Sequence, residues 1–366
     1  MPNKFLILLD RLLWKINKIA KWCQSLNGKF VNAFFVTVVC CTIVSFLGAD
    51  ALKNIPVIKS AYYDTIVATF PPFIMFLSAD IGKFLFSGLL ALSFFCMLFR
   101  KIYRPVALLI SHSTMGYDLS SIDQSFEKSF WLIKRRIESQ VLLQNVSKEK
   151  VIEAICKQDE FFQQLNEKNW CSTVFYYGVA HTPLVFRFGY QWGQSKTIRF
   201  LHRFRPTEDK QTFNELPIYV EEKAAFLRSD RFDVDNYNLH SKDLLVSLAT
   251  TYAIKDTDLS SIDPSNSMLR YKIEVDMLGY DFFNSFQKIR SYADRIVSDL
   301  REFVKEREIE TIHIVISSSV PFTFYLAQQM NTNQFCKIIV YHYDHGRYTW
   351  GIDITEPNAE KAVKWI

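Results

Sequence analysis

The sequence has 366 residues, which is enough for a membrane module together with one large or two small soluble domains. A net charge of +5 without a compact basic tract argues against a protein that reads duplex DNA. The seven cysteines show no Cys-x-x-Cys spacing and three of them lie in apolar runs, so a reducing cytosol fits better than a disulfide framework.

The first segment of the chain combines apolar and basic residues at helical spacing. Between Phe5 and Trp22, apolar side chains recur every three or four residues with lysines between them. This pattern is typical of an amphipathic helix that lies in a membrane interface, and we assign residues 1–28 to it. The alternative is that the same helix packs on a soluble domain.

Two apolar runs follow and predict a pair of membrane spans. Phe30–Ala49 contains no charged residue and matches the thickness of the hydrocarbon core. Ile81–Phe99 is the second predicted span, because Lys83 lies near its end and its charged head can reach the interface. Alternatively, the second span begins near Pro71 and carries Asp80 and Lys83 inside, where ionisable groups would mark a functional path.

The distribution of basic residues predicts the topology of this transmembrane module, which covers residues 29–104. Lysine and arginine are frequent before the first run and directly after the second, and they are sparse in the loop between the runs. Because basic flanks stay on the cytoplasmic side, both termini are expected there. Asp10 and Arg11 interrupt the early apolar run, so no signal peptide is expected.

The chain from about residue 105 has a globular composition, and a first lobe is assigned to about 105–220. Apolar runs of this length bounded by turn signals are typical of strands covered on both faces. The predicted elements are a strand at Val106–Ile110, helices at about 124–144 and 148–167, a strand-turn-helix-strand block at Thr173–Phe213 and a further short strand at Leu216–Val220.

A second lobe, about 243–366, is predicted after a polar connection at Glu221–Lys242. Its predicted elements are strands at Leu244–Ala249, Leu269–Met277 (in a hairpin), Ile312–Ile316, Lys337–Tyr343 and Arg347–Ile354, with helices at about 282–306 and from Pro321. Strands that alternate with helices predict a mainly parallel sheet with crossover connections.

The two lobes share an internal repeat. Pro321 lies 138 positions after Pro183, and Val106–Thr114 matches Leu244–Tyr252 at the same offset. The hexapeptide Asp-Leu-Ser-Ser-Ile-Asp at 118–123 recurs at a closely similar offset. A period of this size is too long for a solenoid, so each copy is predicted to form one lobe of a duplicated unit.

Three segments near the C-terminus resemble the end of a SAVED domain. They are Pro-Phe-x-Phe-Tyr-Leu-Ala from Pro321, Lys-Ile-Ile-Val-Tyr-His-Tyr from Lys337 and Arg-Tyr-Thr-Trp-Gly-Ile-Asp-Ile from Arg347. The resemblance extends from about Val106 to the C-terminus. It implies an α/β fold in which an N-terminal two-helix transmembrane module precedes a SAVED domain, at 105–366, of two fused CARF/Rossmann-like lobes. The apolar N-terminus narrows the resemblance to the two-transmembrane SAVED effectors of bacterial CBASS anti-phage systems.

Small and hydroxyl residues follow the strands of both lobes, where open α/β sheets bind their ligands. The turns before Pro183 and Pro321 also begin helices, whose free N–H groups favour anions such as phosphate. The residues predicted to contact a ligand in these turns are Ser111, His112, Ser113, Thr114, Gly178, His181, Thr182, Thr250, Thr251, Ser317, Ser318 and Ser319. The alternative for each serine and threonine is a helix N-cap, and for His112 and His181 a hydrogen-bonding turn residue.

Tyr341 and Arg347 complete the predicted binding set. Tyr341, like Tyr343 and Trp350, has an aromatic face suited to stacking on a base, although alternate positions on a strand also face a core. Arg347 and Arg187 are candidates for phosphate contacts, although exposed arginines usually only solvate a surface.

The sequence contains no recognisable catalytic motif, and no histidine or cysteine cluster has metal-ligand spacing. We therefore expect no cofactor, no metal and no enzymatic activity. The resemblance implies a bacterial inner-membrane effector whose cytoplasmic SAVED domain binds a cyclic di- or trinucleotide made by a cognate nucleotidyltransferase. Binding would drive head-to-tail homo-oligomerisation, and the clustered spans would disrupt the lipid bilayer and kill or arrest the infected cell.

Two alternatives come from other functional classes. A membrane-tethered nuclease that cleaves cyclic oligonucleotides would need a general base, for which His112 or His181 are the candidates. A membrane scaffold for a protein partner would bind no nucleotide at all.

Overall fold

The described strands form two β-sheets, and each sheet contains four strands that run parallel to one another. The structure is a computed structural model, and the chain divides after Pro105 into two units, of which Val106–Ile366 is the second. The structure describes residues 87–89, 91, 106–116, 119, 126, 129–138, 146–166, 173–193, 197–203, 213–218, 230–235, 241–275, 277–331 and 335–366. The predicted interfacial helix, the first span and most of the second lie outside these residues. Within the described parts of the chain, no helix has the length and apolarity needed to cross a membrane.

The first sheet has the strand order β2-β1-β3-β4-β5. Only β5 runs antiparallel to its neighbour within this sheet as described. Its elements are β1 (Val106–Ser113), β2 (Trp131–Glu138), α1 (Lys148–Asn166), β3 (Val174–Val179), α2 (Thr182–Trp192), β4 (Ile198–His202) and β5 (Asn214–Glu215).

Two predictions for this lobe are wrong. The helix predicted at about 124–144 contains β2, which pairs with β1 over eight residues and buries Ile137. This strand pairing outweighs the helical propensity of the lysine, arginine and glutamate residues in the segment. The described part of the strand predicted at Leu216–Val220, residues 216–218, is not a strand; the short strand β5 lies directly before it, and Leu216 packs in the core.

The second sheet has the order β12-β11-β10-β9-β7-β8-β6. Strands β8, β7, β9 and β10 are parallel, and β6, β11 and β12 run antiparallel to their neighbours. Its elements are β6 (Asp230–Asp235), β7 (Asp243–Ala249), α3 (Asp256–Leu259), β8 (Leu269–Val275), α4 (Phe286–Arg307), β9 (Thr311–Ser317), α5 (Val320–Met330), β10 (Lys337–Asp344), β11 (Arg347–Asp353), α6 (Ala359–Ala362) and β12 (Val363–Trp365).

Two further differences concern the edge of this sheet. The predicted polar connection contains β6, which pairs antiparallel with β8 over six residues. The predicted hairpin strand is β8, which also runs parallel to β7 inside the sheet. Helix α4 begins four residues later than predicted, because Ser285 is its N-cap and accepts a hydrogen bond from Lys288 N at 3.3 Å.

The two sheets have the same topology. In each, four parallel strands lie in the order second, first, third, fourth, and an antiparallel strand follows the fourth. Each third strand leads into a helix with proline in its first turn, α2 in one lobe and α5 in the other. This agreement is what a duplicated α/β unit produces.

The lobes meet through α2 and α5, which pack directly against each other. Gly189 makes the close approach possible, since a Cβ at this position would lie within 3.0 Å of the Phe324 carbonyl oxygen. Phe324 is fully buried, and its ring lies 4.5 Å from that of Tyr176 in the first lobe. Gln328 Nε2 also donates to Gly193 O at 2.6 Å. One hydrophobic core therefore runs through both lobes and fixes their relative orientation.

Candidate ligand-binding cleft between the lobes

An open cleft of about 620 Å³ lies between the two lobes. It is formed at the carboxyl ends of β3 and β4 in the first lobe and of β7 and β9 in the second. The described residues that line it are Met115, Gly178, Val179, Thr182, Leu201, His202, Arg203, Phe213, Thr251, Tyr252, Tyr280, Ile316, Ser317, Ser318, Ser319, Val320 and Pro321. Six of the predicted ligand contacts are among them: Gly178, Thr182, Thr251, Ser317, Ser318 and Ser319.

On the second lobe, hydrogen bonds tie the two predicted turns together. Ser317 O accepts from the backbone N–H groups of Thr250 and Thr251 at 2.9 and 3.0 Å. The Thr250 hydroxyl donates to Ser318 Oγ at 2.7 Å, and the Thr251 and Ser317 hydroxyls lie 3.1 Å apart. Thr250 is buried behind the cleft wall, whereas Thr251 and Ser317 face the cleft. The turns therefore form one preorganised wall of small polar groups.

The N-termini of α2 and α5 also open at the cleft. Thr182 begins α2, and Ser319 is the N-cap of α5. The Ser319 hydroxyl is buried, and it makes no hydrogen bond with any described residue. A helix N-terminus with a free hydroxyl favours an anionic group, because the first N–H groups of the helix have no partner inside it.

Glycine at position 178 brings the main chain of the first lobe to the cleft. Gly178 pairs with His112 across β1 and β3, and a Cβ at position 178 would lie within 3.0 Å of the His112 carbonyl oxygen. A larger residue would have to push the strands apart. The close strand contact explains why the sequence has glycine here.

His112 is part of the core and lies outside the described lining of the cleft. Its ring is buried against Phe188, and its Nδ1 lies 2.8 Å from the Tyr176 hydroxyl. Burial, and then the neighbouring His181, lower the pKa of His112 to about 3, so that the ring is neutral at physiological pH.

His181 and Thr114 form a second buried pair. Thr114 Oγ1 lies 2.7 Å from His181 Nδ1 and accepts a hydrogen bond from His181 N at 2.8 Å. The His181 ring also contacts His342 at 4.6 Å, across the lobe boundary. Burial, and then His342, lower the pKa of His181 to about 3, although Asp344 acts in the opposite direction. This pair serves the packing between the lobes.

The remaining first-lobe candidates, Ser111 and Ser113, are buried at the end of β1. The Ser111 hydroxyl lies 3.4 Å from the Arg135 carbonyl oxygen of the neighbouring strand β2. Neither serine is part of the described lining, so the structure places these two candidates beside the cleft wall and not on it.

The predicted aromatic and arginine contacts lie elsewhere in the fold. Tyr341 is buried, and its hydroxyl lies 2.7 Å from His313 Nδ1; burial raises the pKa of Tyr341. Trp350 is buried beside His181 and His342. Arg347 is exposed on the β10–β11 hairpin, outside the described lining. These placements favour the structural alternatives for all three.

Arg187 is also structural. Its guanidinium is buried, and it forms an ion pair with Asp159 at 2.9 Å. It also donates to the Glu356 carbonyl oxygen at 3.1 Å. This arginine therefore connects α1, α2 and the segment before α6, and it is not available to a phosphate group.

Among the lining residues that sequence reasoning missed are four with polar or aromatic side chains suited to a ligand. His202 and Arg203 come at the end of β4, and Tyr252 and Tyr280 follow β7 and β8. His202 Nε2 lies 3.6 Å from Asp281 of the other lobe. For the residues after β4 and β8, the available signal was the rule that ligands bind beyond the carboxyl ends of parallel strands, applied to all four strands of each lobe instead of two. Tyr252 directly follows the predicted contacts Thr250 and Thr251.

No group of side chains with metal-binding geometry occurs among the residues that the structure describes. The cleft instead offers hydroxyls, backbone N–H groups, two helix N-termini, one arginine and two tyrosine rings. This combination suits a ligand that has both phosphate groups and flat aromatic rings.

Comparisons with known proteins place the chain in a family. No curated protein matches the sequence. Among solved structures, the chain is similar to the Acinetobacter baumannii Cap4 SAVED/CARF-domain containing receptor with the cyclic trinucleotide 2'3'3'-cAAA. The sequence identity is 12%, the TM-score is 0.46, and the match covers 78% of this chain and 60% of the receptor.

The chain is also similar to the Moraxella osloensis Cap4 SAVED/CARF-domain containing receptor. Here the identity is 13% and the TM-score is 0.41, with 93% of this chain and 73% of the receptor covered. A family model provides the assignment itself. The model for SAVED, the "SMODS-associated and fused to various effectors sensor domain", matches residues 157–354, which is more than half of the chain. The chain therefore belongs to the SAVED family.

Proposed function

We propose that this protein is a sensor whose inter-lobe cleft binds one cyclic oligonucleotide. The observation that carries the proposal is that a single cleft is lined by equivalent ends of both lobes, including the turns that begin α2 and α5. A cyclic oligonucleotide presents several phosphates and bases around one ring, so it contacts both walls at once. The family description, a sensor domain fused to effectors, agrees with this function.

The chemistry of the cleft supports an anionic ligand. Arg203 supplies a positive charge on the first lobe, and the α2 and α5 N-termini direct unpaired N–H groups to the same space. The small residues Gly178, Ser317 and Ser318 allow a ligand to approach the main chain closely. Backbone N–H groups bind phosphate oxygens without a side chain between them.

We further propose that the protein is a two-transmembrane SAVED effector in the bacterial inner membrane, with the SAVED domain in the cytoplasm. The apolar run Phe30–Ala49 and the basic residues on both flanks of the module support this topology. Ligand binding stabilises head-to-tail contacts between copies, and the clustered spans disrupt the bilayer and stop the infected cell. The ligand shifts this equilibrium only if it binds the assembled state more tightly than the single chain.

Light scattering and dye release test this proposal. Full-length protein in detergent micelles is mixed with a panel of cyclic di- and trinucleotides, beginning with cyclic triadenylate. We expect one of them to increase the particle size, and to release dye from vesicles that contain the protein. Arg203→Glu is the control, since it reverses the charge in the cleft without touching residues 1–105. Unchanged particle size with every ligand would contradict the proposal and favour a scaffold for a protein partner.

A second candidate function rests on His202 and Asp281. His202 lines the cleft and lies 3.6 Å from Asp281, whereas His112 and His181 are buried away from it. A histidine beside a carboxylate can act as a general base that removes the proton of a ribose 2'-hydroxyl. The 2'-oxygen then bonds to the neighbouring phosphorus, the bond from phosphorus to the 5'-oxygen breaks, and the 5'-oxygen takes up a proton, which leaves a linear chain with a cyclic 2',3'-phosphate end. If the protein is a ring-opening nuclease, chromatography of the bound nucleotide gives a linear product, and the His202→Gln variant does not form that product. Recovery of the intact ring would exclude this function.

A further inference from the structure

Two tyrosines form an unusual feature at the cleft. Tyr252 and Tyr280 both line it, and their rings are perpendicular, with centroids 5.0 Å apart. Tyr252 is 59% exposed, although a ring of this size usually contributes more of its surface to a core. Other tyrosines of this lobe, such as Tyr341 and Tyr348, are buried. An aromatic ring therefore stands open to the ligand space.

Backbone hydrogen bonds hold both tyrosines in place. Tyr252 N donates to Ser317 Oγ at 3.0 Å, and this bond holds the main chain of Tyr252 at the end of β9. Gly279 N donates to Thr250 O at 2.9 Å and attaches the segment of Tyr280 to the same turn. These hydrogen bonds order the main chain that carries both rings, which reduces the entropy lost when a base stacks on Tyr252.

The first lobe has no aromatic residue at the matching position. Thr114 N donates to Val179 O and Thr250 N donates to Ser317 O, so Thr114 matches Thr250 after the first strand and Gly116 matches Tyr252. The described residue beside Gly116 that lines the cleft is Met115. The two walls of the cleft are thus different, although the folds that carry them are the same.

We propose that Tyr252, supported edge-on by Tyr280, stacks on one base of the bound ring and selects a purine at that position. The inference deepens the proposed cyclic-oligonucleotide function and rests on it. Stacking on an aromatic side chain needs only the face of a base, and the larger purine face covers more of the tyrosine ring. Because the first lobe has Gly116 at the matching site, without an aromatic ring, one base of the ring is selected in this way.

Affinity measurements on full-length variants test the stacking role. The probes are cyclic triadenylate and cyclic triuridylate, together with a cyclic trinucleotide that carries one 2-aminopurine, a base whose fluorescence falls when it stacks. We expect Tyr252→Leu to weaken the binding of cyclic triadenylate about 5- to 150-fold. The same substitution should weaken the binding of cyclic triuridylate less. Tyr252→Phe keeps the ring and should bind as the wild type does.

Tyr343→Leu is the matched control. Tyr343 is 47% exposed and also forms a perpendicular-type pair, with Tyr348 at 5.3 Å, but it lies on the hairpin outside the described lining. We expect quenching of 2-aminopurine in the wild type, Tyr252→Phe and Tyr343→Leu proteins and its loss in Tyr252→Leu. If the wild type binds a probe but Tyr252→Leu changes neither affinity nor quenching, the stacking inference is wrong and the sensor function stands. If the wild type binds no cyclic nucleotide, both are wrong.

Discussion

The two lobes share a backbone but use it differently at the cleft. His181 in the first lobe and Ser319 in the second precede α2 and α5 and have similar main-chain angles, with φ of −59° and −69° and ψ of 133° and 151°. His181 pairs with Thr114 and lies outside the described lining, whereas the equivalent Ser319 lines the cleft, as does Tyr252, which matches Gly116 of the first lobe. Duplication therefore preserved the framework, and the side chains at the equivalent strand ends diverged. One lobe uses these positions for packing and the other offers them to a ligand.

The contact that joins the lobes should be the most sensitive to substitution. Phe324→Ala removes a fully buried ring that packs on Tyr176, Phe188 and Phe200 of the other lobe. We expect the free energy of unfolding to fall by about 3–5 kcal/mol, because the cavity spans the shared core. Urea denaturation of the full-length protein measures this loss. Ile218→Ala, at a residue that is 68% exposed, should cost little, and equal losses in the two variants would contradict a shared core.

Gly189→Ala tests the close approach of α2 and α5. The added Cβ would meet the Phe324 carbonyl oxygen, and one of the helices must move. We expect a loss of about 1–3 kcal/mol, despite the higher helical propensity of alanine. Gly279→Ala is the control, since nothing lies within 4 Å of a Cβ at that position. A Gly189→Ala protein as stable as the Gly279→Ala protein would show that the lobes are not packed this closely.

Substituting one threonine in each lobe by valine compares a turn whose hydroxyl is buried with a turn whose hydroxyl lies at the cleft. Thr114→Val leaves His181 N and Nδ1 buried without their partner, which should cost about 1–3 kcal/mol. Thr251→Val removes a hydroxyl that is partly accessible to water, so the loss should be below about 1 kcal/mol. Thermal unfolding of both variants measures the difference. The reverse order of stability would overturn the contrast between the lobes.

The buried histidines predict how stability depends on pH. In the folded protein, burial lowers the pKa of His112 and His181 to about 3 and that of His342 to about 4. A histidine whose pKa is lowered in the folded protein binds a proton more readily when the protein is unfolded. The contribution of these rings to the free energy of unfolding is therefore fully present above pH 6.5 and is lost as the pH falls toward the folded pKa values. Each ring contributes at most about 1.4 kcal/mol per pH unit.

His181→Gln should therefore make the decline between pH 6.5 and pH 4 less steep. The control is His345→Gln, because the His345 side chain is 92% exposed on the hairpin. Denaturation midpoints measured across this range give the slope for each protein. A slope that is the same in the wild type and both variants would show that His181 is not buried as a neutral ring.

The fold was predictable wherever local signals were strong. Strands β9, β10 and β11 follow from continuous apolar runs bounded by turn residues, and α5 follows from Pro321 after three serines. Strand β2 was not predictable in this way, because Lys134, Arg135 and Arg136 interrupt its apolar pattern. Its pairing with β1 is a tertiary contact that a local reading of sequence does not contain.

The position of the site in the fold was predictable from the sequence, but the side chains that line it were not. The strand-end rule located the turns at Gly178 and Ser317, since it depends on chain topology alone. It did not show which way a side chain points, so His112 and Tyr341 were included although both are buried. The contact between His202 and Asp281 joins residues from different lobes, and no spacing in the sequence encodes it.

Calorimetric titration of the full-length protein tests the central claim, that both lobes contribute to a single site. The ligand is the cyclic oligonucleotide that binds most tightly in the screen. The account predicts one ligand per chain, and at least tenfold weaker binding in both Arg203→Glu and Ser318→Glu, since each places a negative charge on one wall of the cleft. Two ligands per chain, or a loss of affinity in only one of these variants, would contradict it.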